Sequence, residues 1–436
     1  MELFPHQVDG LKQTEGHSNC ALYWDMGLGK TFGGSEKMKE YGNPVNLVIC
    51  QKSKVNDWVN HFVDHYYHMD WAVYDLTKKD QLTLFLQYSQ YRHEFSPTVI
   101  GVINYELAWR RKDLLKLKDF TLMLDESSLI QNRKAKQTKF ILALHPKNVI
   151  LLSGTPTAGK YENLWTQAHL LGWPISEDLY NAQYVNWKTV ESDGFFHKIV
   201  DMDDPYKNVE RLKQKFRDHG AVFMKTEEVF DLPEQTFTTV MVPTSKEYRK
   251  FIKTGYVQMP DGSELIGDQV FTMRLHARQL CGIYSQAKLE AFKELIQSTN
   301  DRVIVFYNFT VEMGRMLDIV YELERPTSVV NGQLKDLDAY ENHEDSVTFI
   351  QYQAGAMGLN LQKANKIIYF SLPERSDLFE QSKARIHRIG QNRPCFYWIM
   401  MCERSVEEGI YQTLQERKDF TDELFAEKYQ KGRNAK

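Results

Sequence analysis

The sequence lacks most of the features that mark secreted, membrane-spanning or fibrous proteins. Its five cysteines, Cys20, Cys50, Cys281, Cys395 and Cys402, form no CxxC pair and are odd in number. That speaks against a disulfide scaffold or a zinc site and for reduced, intracellular thiols. No apolar run approaches the ~18 residues of a membrane span. The opening Met1-Glu2-Leu3-Phe4-Pro5-His6-Gln7 has no charged region followed by an apolar one, so no signal peptide is expected. Tandem repeats and low-complexity tracts are missing as well. Nor is there an excess of one charge: 54 Lys+Arg against 58 Asp+Glu give −4. A coat-like or histone-like nucleic-acid binder would be strongly basic, although a local basic groove stays open.

What is present is an ordinary globular chain. Its 436 residues correspond to two or three domains at roughly 150 residues each. With 42% hydrophobic and 26% charged residues the chain is neither disordered nor fibrous, and 13% aromatics can fill more than one core. Short, continuous apolar runs recur at 20–24, 45–50, 98–103, 120–124 and 148–152, and again at 302–306, 327–330, 347–350, 366–370 and 396–401. Continuous rather than alternating runs are expected of strands buried on both faces of a parallel sheet. Helical patterns at 32–41, 55–65 and 377–387 lie between them, so the chain reads as α/β twice over. We expect an N-terminal lobe at 1–230 with a helical insertion at about 157–230. The C-terminal lobe would be 231–436, with a helical insertion at about 244–287 and a long amphipathic helix near the end. Leu232-Pro233-Glu234 suits the crossing, because proline breaks a helix there.

The segment Asp25-Met26-Gly27-Leu28-Gly29-Lys30-Thr31 follows the first run and opens a helical pattern. Glycines let backbone N–H groups turn onto phosphate oxygens, and a helix N-terminus adds a favourable dipole. Lys30 would reach the β- and γ-phosphates and the Thr31 hydroxyl would hold Mg²⁺. The full phosphate-loop pattern asks for glycine where this chain has Trp24, so a plain glycine turn before a helix is the competing reading. Asp125-Glu126 closes the run 120–124, at the end of a strand where α/β sheets bind ligands. Asp125 would hold Mg²⁺ and Glu126 would orient or deprotonate the attacking water; an acidic pair opening a surface turn is the alternative. Ser153-Gly154-Thr155-Pro156 is by itself only a turn, but Ser153 and Thr155 could couple the phosphate site to a second lobe. In the second half the glycines of Ala354-Gly355-Ala356-Met357-Gly358-Leu359-Asn360-Leu361 suit close backbone approach to phosphate or nucleic acid, with Gly358 the nucleotide candidate. Arg385 and Arg388 are three apart, which places both on one face of a helix. Such a pair can clamp a triphosphate, at a value of roughly 10³–10⁵ in rate; a solvated basic face is the bland alternative.

In this order the segments resemble the Swi/Snf-like ATPases of helicase superfamily two. The matches are Phe4-Pro5-His6-Gln7, Asp25 to Thr31, Asp125-Glu126-Ser127-Ser128, Ser153 to Pro156, Ala354 to Leu361, and Gln381 to Gln391, whose ending Arg385-Ile386-His387-Arg388-Ile389-Gly390-Gln391 is specific for this branch. Trp58, Asn104-Tyr105-Glu106, Arg278-Gln279-Leu280-Cys281, Ser285-Gln286-Ala287-Lys288-Leu289 and Ser405-Val406-Glu407-Glu408 are further echoes. The resemblance runs from residue 4 to about 418. It implies two RecA-like lobes with helical protrusions, ATP between them, double-stranded DNA across both, and Gln7 reading the adenine edge. Phosphate contacts would come from Gly27, Leu28 and Gly29, and coupling from Gln381 and Gln391. Two departures matter: Ser128 stands where the family has His, and Gln351-Tyr352-Gln353 replace a Ser/Thr before Ala354-Gly355. The chain looks like a bare motor of the compact bacteriophage and bacterial type.

Positive charge hidden in the total gathers in short runs. Arg110-Arg111-Lys112 with Lys116 and Lys118 against Asp113, Arg133-Lys134 with Lys136 and Lys139, and Lys383, Arg385, Arg388 and Arg393 each net +4. Contacts of this kind to phosphates are sequence-independent and salt-sensitive. Arg133 and Lys134 rank first for DNA, with Lys52 and Ser53 at the family's first DNA-contacting position and Gln353 as a further contact; Trp58 is assigned to the core. The expectation is a DNA-dependent ATPase that translocates on duplex DNA, with ATP and Mg²⁺. It would be monomeric and cytoplasmic, in a host cytoplasm if phage-encoded, with no membrane role and with specificity from a protein partner or from DNA structure. A strand-separating or annealing helicase is the enzymatic alternative. A nucleotide-switched DNA clamp without turnover is the alternative of another class.

Overall fold

The structure, a computed structural model, describes residues 2–90, 96–157, 159–192, 195–201, 203–260, 262–355 and 359–425. Its described residues divide into two compact units, one within 1–229 joined by 419–425, the other within 230–418. The first holds strands β1 (Asn19–Trp24), β2 (Val45–Cys50), β3 (Trp71–Asp75), β4 (Thr98–Asn104), β5 (Thr121–Asp125), β6 (Asn148–Leu152), β7 (Trp187–Ser192), β8 (Phe195–Val200) and β9 (Ala221–Met224). Seven of these form one sheet in the order β3-β4-β2-β5-β6-β1-β9, with every pairing parallel. Its central strands are the continuous apolar runs of the sequence, buried along nearly their whole length as strands covered on both faces must be. The edge strand β3 is half-buried and β9 has only four residues. Neither gives a long apolar run, which is why neither was expected. β7 and β8 form a separate antiparallel hairpin inside the insertion, which is therefore not purely helical.

The second unit holds β10 (Gln235–Val242), β11 (Tyr256–Gln258), β12 (Glu264–Ile266), β13 (Val303–Tyr307), β14 (Thr327–Val330), β15 (Lys335–Asp336), β16 (Val347–Gln351), β17 (Lys366–Tyr369) and β18 (Cys395–Cys402). Its main sheet runs β10-β18-β17-β13-β16-β14-β15, parallel except for the short β14–β15 pair. β10 is a mostly exposed edge strand paired to β18 over its full length, so its sequence Gln235-Thr236-Phe237-Thr238 shows no apolar run. The fold class is thus α/β with two mostly parallel sheets. Lys288 Nζ meets Glu407 Oε1 at 2.6 Å, both buried, and Glu407 Oε2 accepts from the Cys402 N–H at 2.9 Å. Two segments about 120 residues apart in the chain are joined there around a buried charge pair.

One local packing feature explains the departure at Trp24. Its indole is fully buried and lies against Gly10 and Gly33. A Cβ at Gly10 would come within 2.5 Å of the ring, and one at Gly33 within 2.7 Å. Two glycines on neighbouring helices make room for a ring where the phosphate-loop pattern has only a glycine.

Candidate active site

The strand order places β5, β6 and β1 side by side, and their C-terminal ends carry Asp125-Glu126, Ser153 to Pro156, and the loop from Asp25. That edge is where open parallel sheets bind ligands. The loop turns through Gly27 and Gly29, with φ of 92° and 75°, into the helix Lys30–Tyr41. These are left-handed conformations that favour glycine. A Cβ at Gly29 would also lie 2.1 Å from Gln7 Nε2. Gln7 is 3% exposed and its Nε2 donates to the Leu28 carbonyl at 3.2 Å, so its amide is seated against the loop. Asp25 braces the other side: its carboxylate accepts from the Met26 N–H at 3.1 Å, and the Thr226 hydroxyl donates to the Met26 carbonyl at 3.2 Å. Thr226, just after β9, has no motif around it and was not foreseen.

Lys30 Nζ donates to the carbonyls of Trp24 and Asp25 at 2.8 and 3.1 Å. A Cβ at Gly154 would sit 3.3 Å from that nitrogen, so the Ser153 to Pro156 turn lies directly against Lys30. Thr31 follows in the first turn of the helix. Ser153 is buried and its hydroxyl accepts from the Thr155 N–H at 3.1 Å. Asp125 Oδ2 accepts from Trp58 Nε1 at 2.8 Å. Burial pushes the Asp125 carboxyl above the ordinary carboxylate range, against the Trp58 hydrogen bond and the positive charges of Lys30 and Lys54. Glu126 is held at φ 54°, an uncommon conformation for a residue with a side chain. Its carbonyl accepts from the Leu129 N–H at 2.9 Å, and the Tyr105 hydroxyl donates to the Asp125 carbonyl at 2.9 Å. Trp58, 2% exposed, is therefore both core and donor. Sequence reasoning gave it only the first role, and its echo of the family pattern was the available signal for the second. Glycine-loop N–H groups, an ammonium, a hydroxyl and a carboxylate along one sheet edge are a donor set that fits a triphosphate with a hard cation.

In the second unit the helix Ser376–Lys383 ends before the arginines. Arg385 and Arg388 therefore do not share a helix face; they lie in the turns that follow. The periodicity argument fails there because the backbone tightens at once, with Arg385 N–H bonded to the Ser382 carbonyl and Ile386 N–H to that of Lys383. Arg385 is 8% exposed, and its own carbonyl accepts from the Leu361 N–H at 3.1 Å. Burial pulls the Arg388 guanidinium below its ordinary range. Gln381 is buried on the helix. Gln391 Nε2 donates to the carbonyls of Ala364 and Gln362 at 2.8 and 3.1 Å, which staples the turn. Gln353 is exposed on the short helix Tyr352–Gly355. Gly358 lies outside the described residues.

Of the DNA candidates, Lys52 and Ser53 are exposed on the turn after β2. Arg133 pairs with Glu177 and stacks over Trp165, while Lys134 is exposed. Both line a cleft of about 1010 Å³ with Lys139, Lys160, Asn163 and Trp187. Among the described residues no helix is long and apolar enough to cross a membrane.

The SNF2-related domain model matches residues 9–286, and the helicase conserved C-terminal domain model matches 287–390. YwqA of Bacillus subtilis (strain 168), named as an ATP-dependent helicase/translocase, is 25% identical over 478 residues, covering 97% of this chain and 48% of that protein. SWI/SNF-related matrix-associated actin-dependent regulator of chromatin subfamily A-like protein 1 of Drosophila melanogaster is 22% identical, covering 99% and 57%. The Sulfolobus solfataricus SWI2/SNF2 ATPase core in complex with dsDNA aligns at 20% identity and a TM-score of 0.44, covering 97% of this chain and 92% of that one. The chain spans about half the length of the curated relatives it matches. With the SNF2-related model covering well over half of its residues, and the loop, the Asp-Glu pair and the Ser-Gly-Thr-Pro turn gathered on one sheet edge, the chain belongs to the SNF2-related domain family.

Proposed function

We propose that this protein is an ATPase stimulated by duplex DNA, which uses nucleotide-driven closing and opening of two lobes to translocate along the duplex. The observation that carries the ATPase reading is the juxtaposition of Lys30, Gly154 and Asp125 at the ends of three adjacent strands. In this reading the loop N–H groups from Gly27 to Lys30 cradle the phosphates, Lys30 swings from its carbonyls to the β/γ oxygens, and Gln7 meets the adenine. Glu126 takes the proton of the attacking water, held in place by its constrained backbone. Thr31 and Asp125 would hold Mg²⁺, which would supply charge neutralisation on the phosphates. Arg385 and Arg388 would complete that neutralisation from the second lobe when the lobes close, so turnover depends on closure. Gly358 would contribute a backbone contact. Ser153, Thr155, Gln381 and Gln391 would couple the lobes.

Backbone contacts from Lys52, Ser53, Arg133, Lys134 and Gln353 would make DNA binding independent of sequence. Protein partners or DNA structure would supply specificity. A monomer of the compact phage or bacterial type working in the cytoplasm is the setting that fits this reading. The test is phosphate release with and without duplex DNA at low salt, paired with displacement of a triplex-forming strand. Stimulated turnover and triplex displacement without unwinding of a forked duplex are expected. Unwinding or rewinding of the fork would favour the helicase reading, and tight ATP binding without phosphate release would favour the clamp.

A further inference from the structure

Gln167, in the helix Trp165–Leu170, is fully buried in the first unit. Its amide reaches three separate segments. The Tyr23 hydroxyl of β1 donates to Gln167 Oε1 at 2.9 Å, the Ser127 hydroxyl donates to the same oxygen at 2.7 Å, and Gln167 Nε2 donates to the Pro156 carbonyl at 2.8 Å. A carbonyl only accepts, so Nε2 must face Pro156 and Oε1 must face the two hydroxyls; chemistry fixes the orientation of the amide. Tyr23 and Ser127 are as buried as Gln167. In such surroundings every member of the network needs its partner.

The two loops joined this way are the ones that matter for turnover. Ser127 directly follows Glu126, whose backbone is held at φ 54° with its carbonyl tied to Leu129. Pro156 ends the turn whose Gly154 lies against Lys30. We propose that Gln167 is a positioning residue that locks the Ser153 to Pro156 turn to the Asp125-Glu126 loop, so that movement of the turn resets the water-activating carboxylate. This rests on the ATPase reading above. The amide is a rigid plane: a displacement of the Pro156 carbonyl either carries Oε1 and the Ser127 hydroxyl with it or breaks a buried hydrogen bond. None of these three bonds is to a residue from Asp25 to Thr31, so loss of the link should act on turnover more than on ATP affinity.

The test uses the full chain with ATP KM and kcat measured with and without duplex DNA. Gln167→Leu and Ser127→Ala should each lower DNA-stimulated kcat about tenfold, with KM for ATP held within about twofold. Tyr23→Phe, which removes a bond to the same oxygen without touching either loop, should stay near wild type. Gln167→Glu can restore the donor to Pro156 only when protonated, so its kcat relative to wild type should rise as pH falls, which loss of packing does not produce. Wild-type kcat in Gln167→Leu and Ser127→Ala would overturn the proposal, as would an equal loss in Tyr23→Phe. If Gln167→Leu does not fold, Ser127→Ala decides. If the wild type hydrolyses ATP without responding to DNA, the translocase reading falls, while basal kcat in the same variants still decides the role of Gln167.

Discussion

Among single residues, Lys30, Glu126 and Trp58 carry the sharpest consequences of the proposed ATPase activity. Lys30→Ala should abolish nucleotide binding or turnover. Glu126→Gln should keep ATP binding while stalling hydrolysis, read by nucleotide titration beside phosphate release. Trp58→Phe deletes the N–H that holds Asp125 Oδ2 while keeping an aromatic ring in the core. It should lower kcat about tenfold, since a half-buried carboxylate is left without its donor; steady-state ATPase of the folded variant checks this. The placement of Lys30, Asp125 and Glu126 along one sheet edge was legible in the sequence, because each follows an apolar run that becomes a strand. Thr226 and Gln167 were not, because each acts through partners far away in the chain: Thr226 on Met26, and Gln167 on Tyr23 and Ser127. Trp58 was half-legible, as apolar bulk without its hydrogen bond.

At the scale of elements, the helix Val55–His65 packs a histidine against the phosphate-loop helix. The Ser35 hydroxyl donates to the Thr31 carbonyl at 2.8 Å, so at 3.0 Å it accepts from His61 Nε2–H. Burial first, then the charge of His65, lowers the His61 pKa from 6.5 to about 4, so the ring is neutral at neutral pH. The sign follows: above about pH 6.5 the contribution is complete, and it is lost as pH falls toward 4, because the unfolded chain takes up a proton that the folded one refuses. The loss should approach about 3 kcal/mol across that window. Denaturant unfolding at neutral and acidic pH measures it, and His61→Gln, which keeps a donor without a charge, should flatten the dependence. The Lys288–Glu407 pair makes a second demand. Lys288→Met alone should destabilise by roughly 3–5 kcal/mol, and Lys288→Met with Glu407→Leu much less, because a single deletion strands a buried charge. The central strands of both sheets were readable as continuous apolar runs. The edge strands β3 and β10 were not, because a half-buried or exposed edge has no such run. The helix through Arg385 was overextended because periodicity does not mark where Lys383 ends it.

At the scale of the whole molecule, the proposed activity requires a chain of net charge −4 to bind a polyanion through local patches. The concentration of duplex needed for half-maximal stimulation should therefore rise steeply between roughly 50 and 200 mM salt, since each displaced counterion adds to the slope. Lys52→Ala and Lys134→Ala should each reduce that slope by about one. Two α/β units were legible from two series of apolar runs, and the family from the order of motifs across both. The hairpins β7–β8 and β11–β12 were hidden in segments that read as helical and charged. In the proposed activity the two units act together: ATP held by the first is hydrolysed fast only when duplex DNA engages the protein. The most direct measurement is the steady-state rate of phosphate release by the full chain at low salt, titrated with duplex DNA, beside Arg385→Ala and Arg388→Ala. A saturable rise is expected for the wild type, and loss of that rise in both variants with ATP binding intact. A rate that does not change with DNA, or a rise that survives in both arginine variants, would overturn the proposed activity.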